Sequence, residues 1–252
     1  MQMQTITRSR PMGDTLALVF LLVGAGLVIT AVTAVGLIPL VMTHGRALMI
    51  FGAFGGLALL LLASWACSRG DNLTAGLLYF LFCGANGALL APLAAIAAYD
   101  REFAQMVYIA AFATFTIVAI LALVASWLPQ LFIGWGQFLF TGLTALLVTS
   151  LVGLFTRANP VHLALDACGI LLFCGYVLYD VSAIVSGEHD NPVRGAIELY
   201  LDVLNLFLNI LDLLLRLSNP TRWFGGVSSG NSDGSTSSDS WSISDLFNFF
   251  DD

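Results

Sequence analysis

Five successive stretches of this chain, Leu16–Leu40, Ala47–Cys67, Ala75–Ala98, Ala104–Trp127 and Leu131–Phe155, contain no charged residue at all. Two further apolar runs follow, Val161–Val185 and Ala196–Leu217, and these do carry charges. Roughly 20 apolar residues, rising about 1.5 Å each in a helix, cross a hydrocarbon core of about 30 Å. The pattern predicts an all-α membrane protein with seven transmembrane helices over residues 16–217, preceded by a polar segment 1–15 and followed by a tail 218–252. Composition leaves no soluble alternative. Charged residues are only 10% of the 252 and Lys is absent, where soluble domains are about a quarter charged. Too few charges remain to coat a globule of this size. That excludes a cytosolic enzyme, a secreted disulfide scaffold and a nucleic-acid binder, and the net charge of −7 opposes the Lys/Arg arrays that counterion release requires.

The connections are short and polar: Thr43 to Arg46, Ser68 to Asp71, Tyr99 to Glu102, Pro129, Arg157 to Pro160 and Gly187 to Gly195. Short connections make chain neighbours antiparallel, so the alternation of sides is set. Its absolute sense is not, because Arg8, Arg10, Arg69 and Arg194 fall on one side and Arg46, Arg101, Arg157 and Arg222 on the other. The first run exceeds the 7–15 residues of a signal-peptide core and no small-x-small site closes it, so it reads as a retained helix. The four Cys, at 67, 83, 168 and 174, form no CxxC and read as small apolar groups. In the tail, Ser228 to Ser240 is Ser/Gly/Asp/Asn-rich and reads as a disordered linker before an acidic-aromatic end, Trp241 to Asp252. That end is a solubilising tail or a docking motif.

Away from the span ends, every ionisable residue at membrane depth lies in the last two runs: Asp166 and Asp180 in the sixth, Glu198, Asp202, Asp212 and Arg216 in the seventh. An acid at the bilayer centre costs at least about 2.5 kcal/mol, so such residues face a bundle interior or water and mark function. In the seventh run Glu198, Asp202, Asn205, Asn209, Asp212 and Arg216 recur at spacings of 4, 3, 4, 3 and 4. That is one continuous helical stripe, which places this helix at the centre of the bundle. Asp180 lies five residues before the end of the sixth run and Asp202 six residues into the seventh. On antiparallel neighbours these carboxyls stand at the same depth and can meet. Two carboxylates in low dielectric cannot both ionise cheaply, so they share a proton. Arg69, on the same side, is positioned to compensate their charge. Asp166 near His162, and Asp212 near Arg216, can each be satisfied by a local i, i+4 pair, or together form a second site.

At these residues the chain resembles the Bax inhibitor-1 family, in its bacterial form. The resemblance rests on Gly175-Tyr-Val-Leu-Tyr-Asp180, on Glu198-Leu-Tyr-Leu-Asp202-Val-Leu-Asn205, and on Gly87-Ala-Leu-Leu-Ala-Pro92 in the third run. It covers roughly residues 10–222. It implies a seven-helix fold with a central last helix and a pH-sensitive calcium leak through the cell membrane. Asp180 and Asp202 would then be the pH-sensing dyad and Arg69 its contacting base, with Glu198, Asn205, Asn209 and Asp212 lining the pathway. Calcium would be the permeant ion, held in passing by Asp180 and Asp202, with no resident cofactor. Asp212 departs from the family pattern, where a basic or neutral residue is usual.

Two other functions compete with a channel. Tyr179-Asp180 and a seventh-helix Asp superficially match an intramembrane aspartyl protease, but Leu199-Tyr-Leu201 stands before Asp202 where that class has Gly-x-Gly, and no Pro-Ala-Leu follows. A non-transporting regulator of a membrane quality-control protease or stress factor would use the tail for docking. No zinc motif, Gly-x-Ser-x-Gly or phosphate loop is present, so the expectation is a non-enzyme.

Overall fold

The computed structural model describes residues 12–153, 159–188 and 191–218. Residues 1–11 of the predicted polar segment, Arg157, His189 and the tail beyond Ser218 lie outside the described residues, while residues 12–15 open the first helix. Within them the chain is helical: α1 (Met12–Gly36), α2 (Ile38–Ser68), α3 (Asn72–Tyr99), α4 (Arg101–Trp127), the short α5 (Pro129–Phe132), a 3-10 turn (Ile133–Trp135), α6 (Gly136–Gly153), α7 (Asn159–Val185) and α8 (Pro192–Ser218).

Six segments are long and apolar enough to cross a membrane: Asp14–Gly36, Thr43–Ser68, Asn72–Tyr99, Arg101–Trp127, Pro129–Leu151 and His162–Val185. Helix α8 matches α4 and α7 in length, at 27 residues each, but its charges set it apart. The outer faces of the spans are apolar and bare. Phe51, Phe54, Phe112, Phe115 and Phe138 are each more than 70% exposed. Such exposure in water would be an aggregation surface; in a bilayer it is the lipid-facing wall. The molecule is a multi-pass membrane protein.

Two boundaries differ from the sequence reading. The break expected at Thr43 to Arg46 is a kink rather than an open loop: two helical stretches of α2 meet at His44, whose φ of −140° and ψ of 34° are non-helical. Local bonds carry the chain across: the Thr43 hydroxyl donates to the Leu40 carbonyl at 3.2 Å and sits 2.9 Å from His44 Nδ1. The fifth run is likewise interrupted, with the 3-10 turn at Ile133–Trp135 dividing α5 from α6.

The remaining ends follow capping rules. Gly70 and Gly187 take φ of +75° just past α2 and α7, the left-handed cap that glycine adopts without strain. Asp71 opens α3, accepting from Thr74 N at 3.1 Å and Thr74 Oγ1 at 2.6 Å. These bonds, the Thr74 hydroxyl first, hold its carboxyl below the usual carboxylate range. Its contribution is therefore complete above the ordinary range and is lost as pH falls through the lowered value. Asp100 opens α4, accepting from the amides of Glu102 and Phe103.

Helix α8 packs on α7, α4 and α1 and also touches α3 and α2, whereas α6 rests mainly on α7. Leu199, Tyr200, Leu206 and Leu211 of α8 are almost fully buried. A polar knot fastens α8 to α1 and α3. The Tyr200 hydroxyl donates to Thr30 Oγ1 at 2.7 Å, because the Thr30 proton is already directed at the carbonyls of Gly26 (2.9 Å) and Cys83 (3.0 Å). Tyr79 donates to the Leu22 carbonyl at 3.0 Å and meets Tyr200 edge to face at 5.9 Å.

Small residues allow α1 and α3 to approach this closely. A Cβ on Gly87 would lie 2.6 Å from the Thr30 carbonyl oxygen and 2.7 Å from Thr33 Cβ. A Cβ on Gly24, on the same α1, would meet nothing within 4 Å. Gly87→Val is expected to destabilise the protein by roughly 1–3 kcal/mol, the usual cost of overpacking, while Gly24→Val leaves it near wild type. Thermal melts of the two variants in detergent check the contrast.

Candidate functional site

The candidate site lies along the seam between α7 and α8, which run antiparallel through the connection closed by Gly187. At one end Asp180 and Asp202 are 5% and 6% exposed, and the two carboxyls lie within electrostatic and hydrogen-bonding reach of each other. A hydrogen bond between two carboxyls requires a proton on one of them. The second oxygen of Asp202, Oδ2, is buried with no hydrogen-bond partner. Tyr176 is within electrostatic reach of both carboxyls and Glu198 of Asp202. Glu198 itself faces outward and pairs with Arg194 at 3.1 Å, a half-exposed i, i+4 bridge.

The sequence-predicted residues separate along the seam. Asn205 and Asn209 occupy its middle, half-buried, and each turns its amide back onto its own helix: Asn205 Nδ2 donates to the Leu201 carbonyl at 2.8 Å and Asn209 Nδ2 to the Asn205 carbonyl at 2.7 Å. The Asn209 carboxamide fills the space over Gly169 of α7, where a Cβ would collide with it. Arg69, expected as the base that contacts the dyad, is engaged at the end of α2. Its side chain is exposed and its guanidinium lies 3.9 Å above the Trp65 ring, a cation–π stack on the end of its own helix.

The far end of the seam holds a group that sequence reasoning divided wrongly. Arg216 Nε lies 2.9 Å from Asp166 Oδ2, and Arg216 Nη2 donates to Asp212 Oδ2 at 3.1 Å. The Asp212 pair is the expected local one. The Asp166 pair crosses from α7 to α8, so one base clamps two acids and both helices. A register argument finds it: Asp166 precedes Asp180 by 14 residues, as Arg216 follows Asp202 by 14. Helices that meet at Asp180 and Asp202 must then meet at Asp166 and Arg216.

Among the described residues no three His, Cys, Asp or Glu side chains converge as a metal site. The dyad alone offers at most four oxygens, one of them engaged by a proton, against the 6–8 that Ca²⁺ takes. A resident calcium ion does not fit these residues; a passing one needs fewer protein ligands.

Apolar spans enclosing a buried carboxyl pair define a polytopic membrane protein with a protonatable centre between its last two helices. The chain belongs to the Bax inhibitor family: residues 13–219 match the family described as inhibitor of apoptosis-promoting Bax1. It is 39% identical over 83 residues to an uncharacterized membrane protein of Vibrio cholerae, covering 33% of this chain and 37% of that one. It is 40% identical over 80 residues to the Golgi anti-apoptotic protein of Vaccinia virus (31% and 34% covered). With a BI1-like protein of Arabidopsis thaliana it shares 38% over 86 residues (33% and 34% covered). These alignments span about a third of each relative.

The Arg216 side chain is 13% exposed and that of Asp166 10%. Removing one partner of a buried pair typically costs about 3–5 kcal/mol, because the other charge stays buried. Arg216→Gln is expected to destabilise by about that much. Asp212→Asn, at a side chain 37% exposed, should cost about 1 kcal/mol or less, the value of a surface pair. Equilibrium unfolding in mixed micelles measures both.

Proposed function

We propose that α8 is a seventh span at the centre of the bundle and that the protein is a pH-sensitive leak for calcium, a non-enzymatic channel of the cell membrane. The observation that carries this reading is the buried pair Asp180–Asp202 at the end of an otherwise apolar seam. While one proton is shared, the pair braces α7 against α8 and most of the stripe is internally partnered, which is the closed arrangement. Proton loss places like charges about 4 Å apart, a repulsion of roughly 4 kcal/mol at an effective dielectric of 20. That approaches the roughly 5.5 kcal/mol needed to carry a two-state packing nearly all the way across. The freed oxygens then suit a hard cation, and Glu198, Asn205, Asn209 and Asp212 continue the acidic and carbonyl-bearing path along α8. Arg69 enters this scheme only in a state in which its guanidinium leaves Trp65.

A second reading, a regulator without transport, is favoured by the similarity to the Golgi anti-apoptotic protein of Vaccinia virus. Transport by the purified protein separates the two. In proteoliposomes, calcium influx through the wild type should rise with pH. Asp180→Asn and Asp202→Asn should each flatten that profile, because an amide has no proton to lose, and the double variant should add little to either single one. Wild-type pH dependence in both single variants would make the dyad a structural fastening. Absence of flux from the wild type at every pH would favour the regulator.

A further inference from the structure

On the face of α8 away from the α7 seam, the bundle is not closed. A cavity of about 1070 Å³ runs between α1 and α4, with α3 beside it and α8 as its floor. Its wall on α1 extends from Leu16 to Val35 and on α4 from Ala104 to Ser126. Nineteen helical residues rise about 28 Å, so the groove runs the depth of a hydrocarbon core. Small residues keep it open: Gly24 and Ala31 on α1, Ala111 and Ala119 on α4. Gly24 has no packing reason to be small, since a Cβ there would meet nothing within 4 Å.

The lining is apolar throughout. Its inward hydroxyls are already engaged: Thr30 with Tyr200 and two carbonyls, Thr114 with the Ala110 carbonyl at 2.8 Å, Ser126 with that of Ala122 at 2.7 Å. The remaining polar group is that of Tyr108, whose side chain is 74% exposed. Water entering such a groove would find no partners. The groove is continuous with the lipid-facing surface, because its rims are the α1 and α4 faces that carry the exposed Val28, Val32, Phe112 and Phe115.

We propose that this groove is a binding site for the acyl chain of a bilayer lipid, held between α1 and α4 and resting on α8. A flexible hydrocarbon chain aligned with the membrane normal matches its length, its narrowness and its lack of polar contacts. It enters sideways from the surrounding bilayer without crossing water. The chain's own tail is a poorer occupant: beyond Ser218 it is rich in Ser, Gly and Asp, and its aromatic residues after Trp241 are interleaved with Asp245, Asp251 and Asp252, carboxylates that apolar walls do not solvate. The bound chain would contact Val203 and Phe207 of α8, residues that bracket the turn after Asp202. The proposal stands whether or not the dyad gates an ion.

The test uses the full-length protein in nanodiscs containing phosphatidylcholine with a diazirine on one acyl chain. After illumination, labelled residues are located by mass spectrometry. Label is expected on Phe207 in the groove floor as well as on the outward Leu21 and Phe112. Gly24→Trp combined with Ala111→Trp should abolish the Phe207 label and spare Leu21, which reports that the protein is still folded in the bilayer. Label confined to Leu21 and Phe112 in the wild type would overturn the proposal. So would a cross-link from the groove to a second copy of the chain, or Phe207 label that survives the double Trp variant. If the double variant fails to fold, the wild-type labelling pattern alone decides.

Discussion

The proposed proton between Asp180 and Asp202 would reconcile two facts that otherwise conflict: an apolar bundle and a helix with an acid-bearing stripe. Two ionised carboxylates at that position would each carry the desolvation cost of a buried charge and would repel one another. One shared proton would remove half of that charge and turn the remainder into a hydrogen bond across the α7–α8 seam. The rest of the seam follows the same economy. Asn205 and Asn209 satisfy their amides on their own helix. Asp166 and Asp212 share Arg216, and Glu198 turns outward to Arg194. Most of the polar stripe of α8 is thus partnered within the protein, with Asp202 Oδ2 the buried exception.

The two ends of the seam are chemically unlike. In the proposed reading the dyad end is held by a proton, and its strength would depend on pH. The far end is held by a guanidinium, which stays charged at any ordinary pH. A change in proton occupancy therefore loosens one end while the other remains fastened, and a pivot about the Arg216 clamp is the motion this arrangement favours. The close contact of Gly169 with Asn209 lies on the clamped side of the midpoint, where such a pivot moves the helices least.

Much of this was legible in the chain. Runs without charge located the spans, and the 4-3-4-3-4 spacing placed the stripe on one face. Equal distance from a shared connection brought Asp180 to Asp202. What escaped did so for physical reasons. The connection at Thr43 to Arg46 is shorter than a loop, reduced to a kink at His44 between two helical stretches. Arg216 was assigned to its i, i+4 neighbour because local pairs are visible in one dimension, whereas its bond to Asp166 needs the register of two helices. Spacing along the chain cannot show that Arg69 stacks on Trp65. The groove between α1 and α4 left no mark at all, since apolar residues facing a groove and apolar residues facing lipid are spelled alike.

The shared proton itself is the central claim, and infrared spectroscopy of the protein in proteoliposomes observes it directly. A protonated buried carboxyl absorbs in the carboxylic C=O region, where carboxylates do not. The account predicts one such band that is absent from Asp202→Asn and Asp180→Asn, and that disappears with rising pH along the same titration curve as calcium flux increases in the same vesicles. A band that persists unchanged while the flux rises, or a flux that rises with no band ever present, would contradict it.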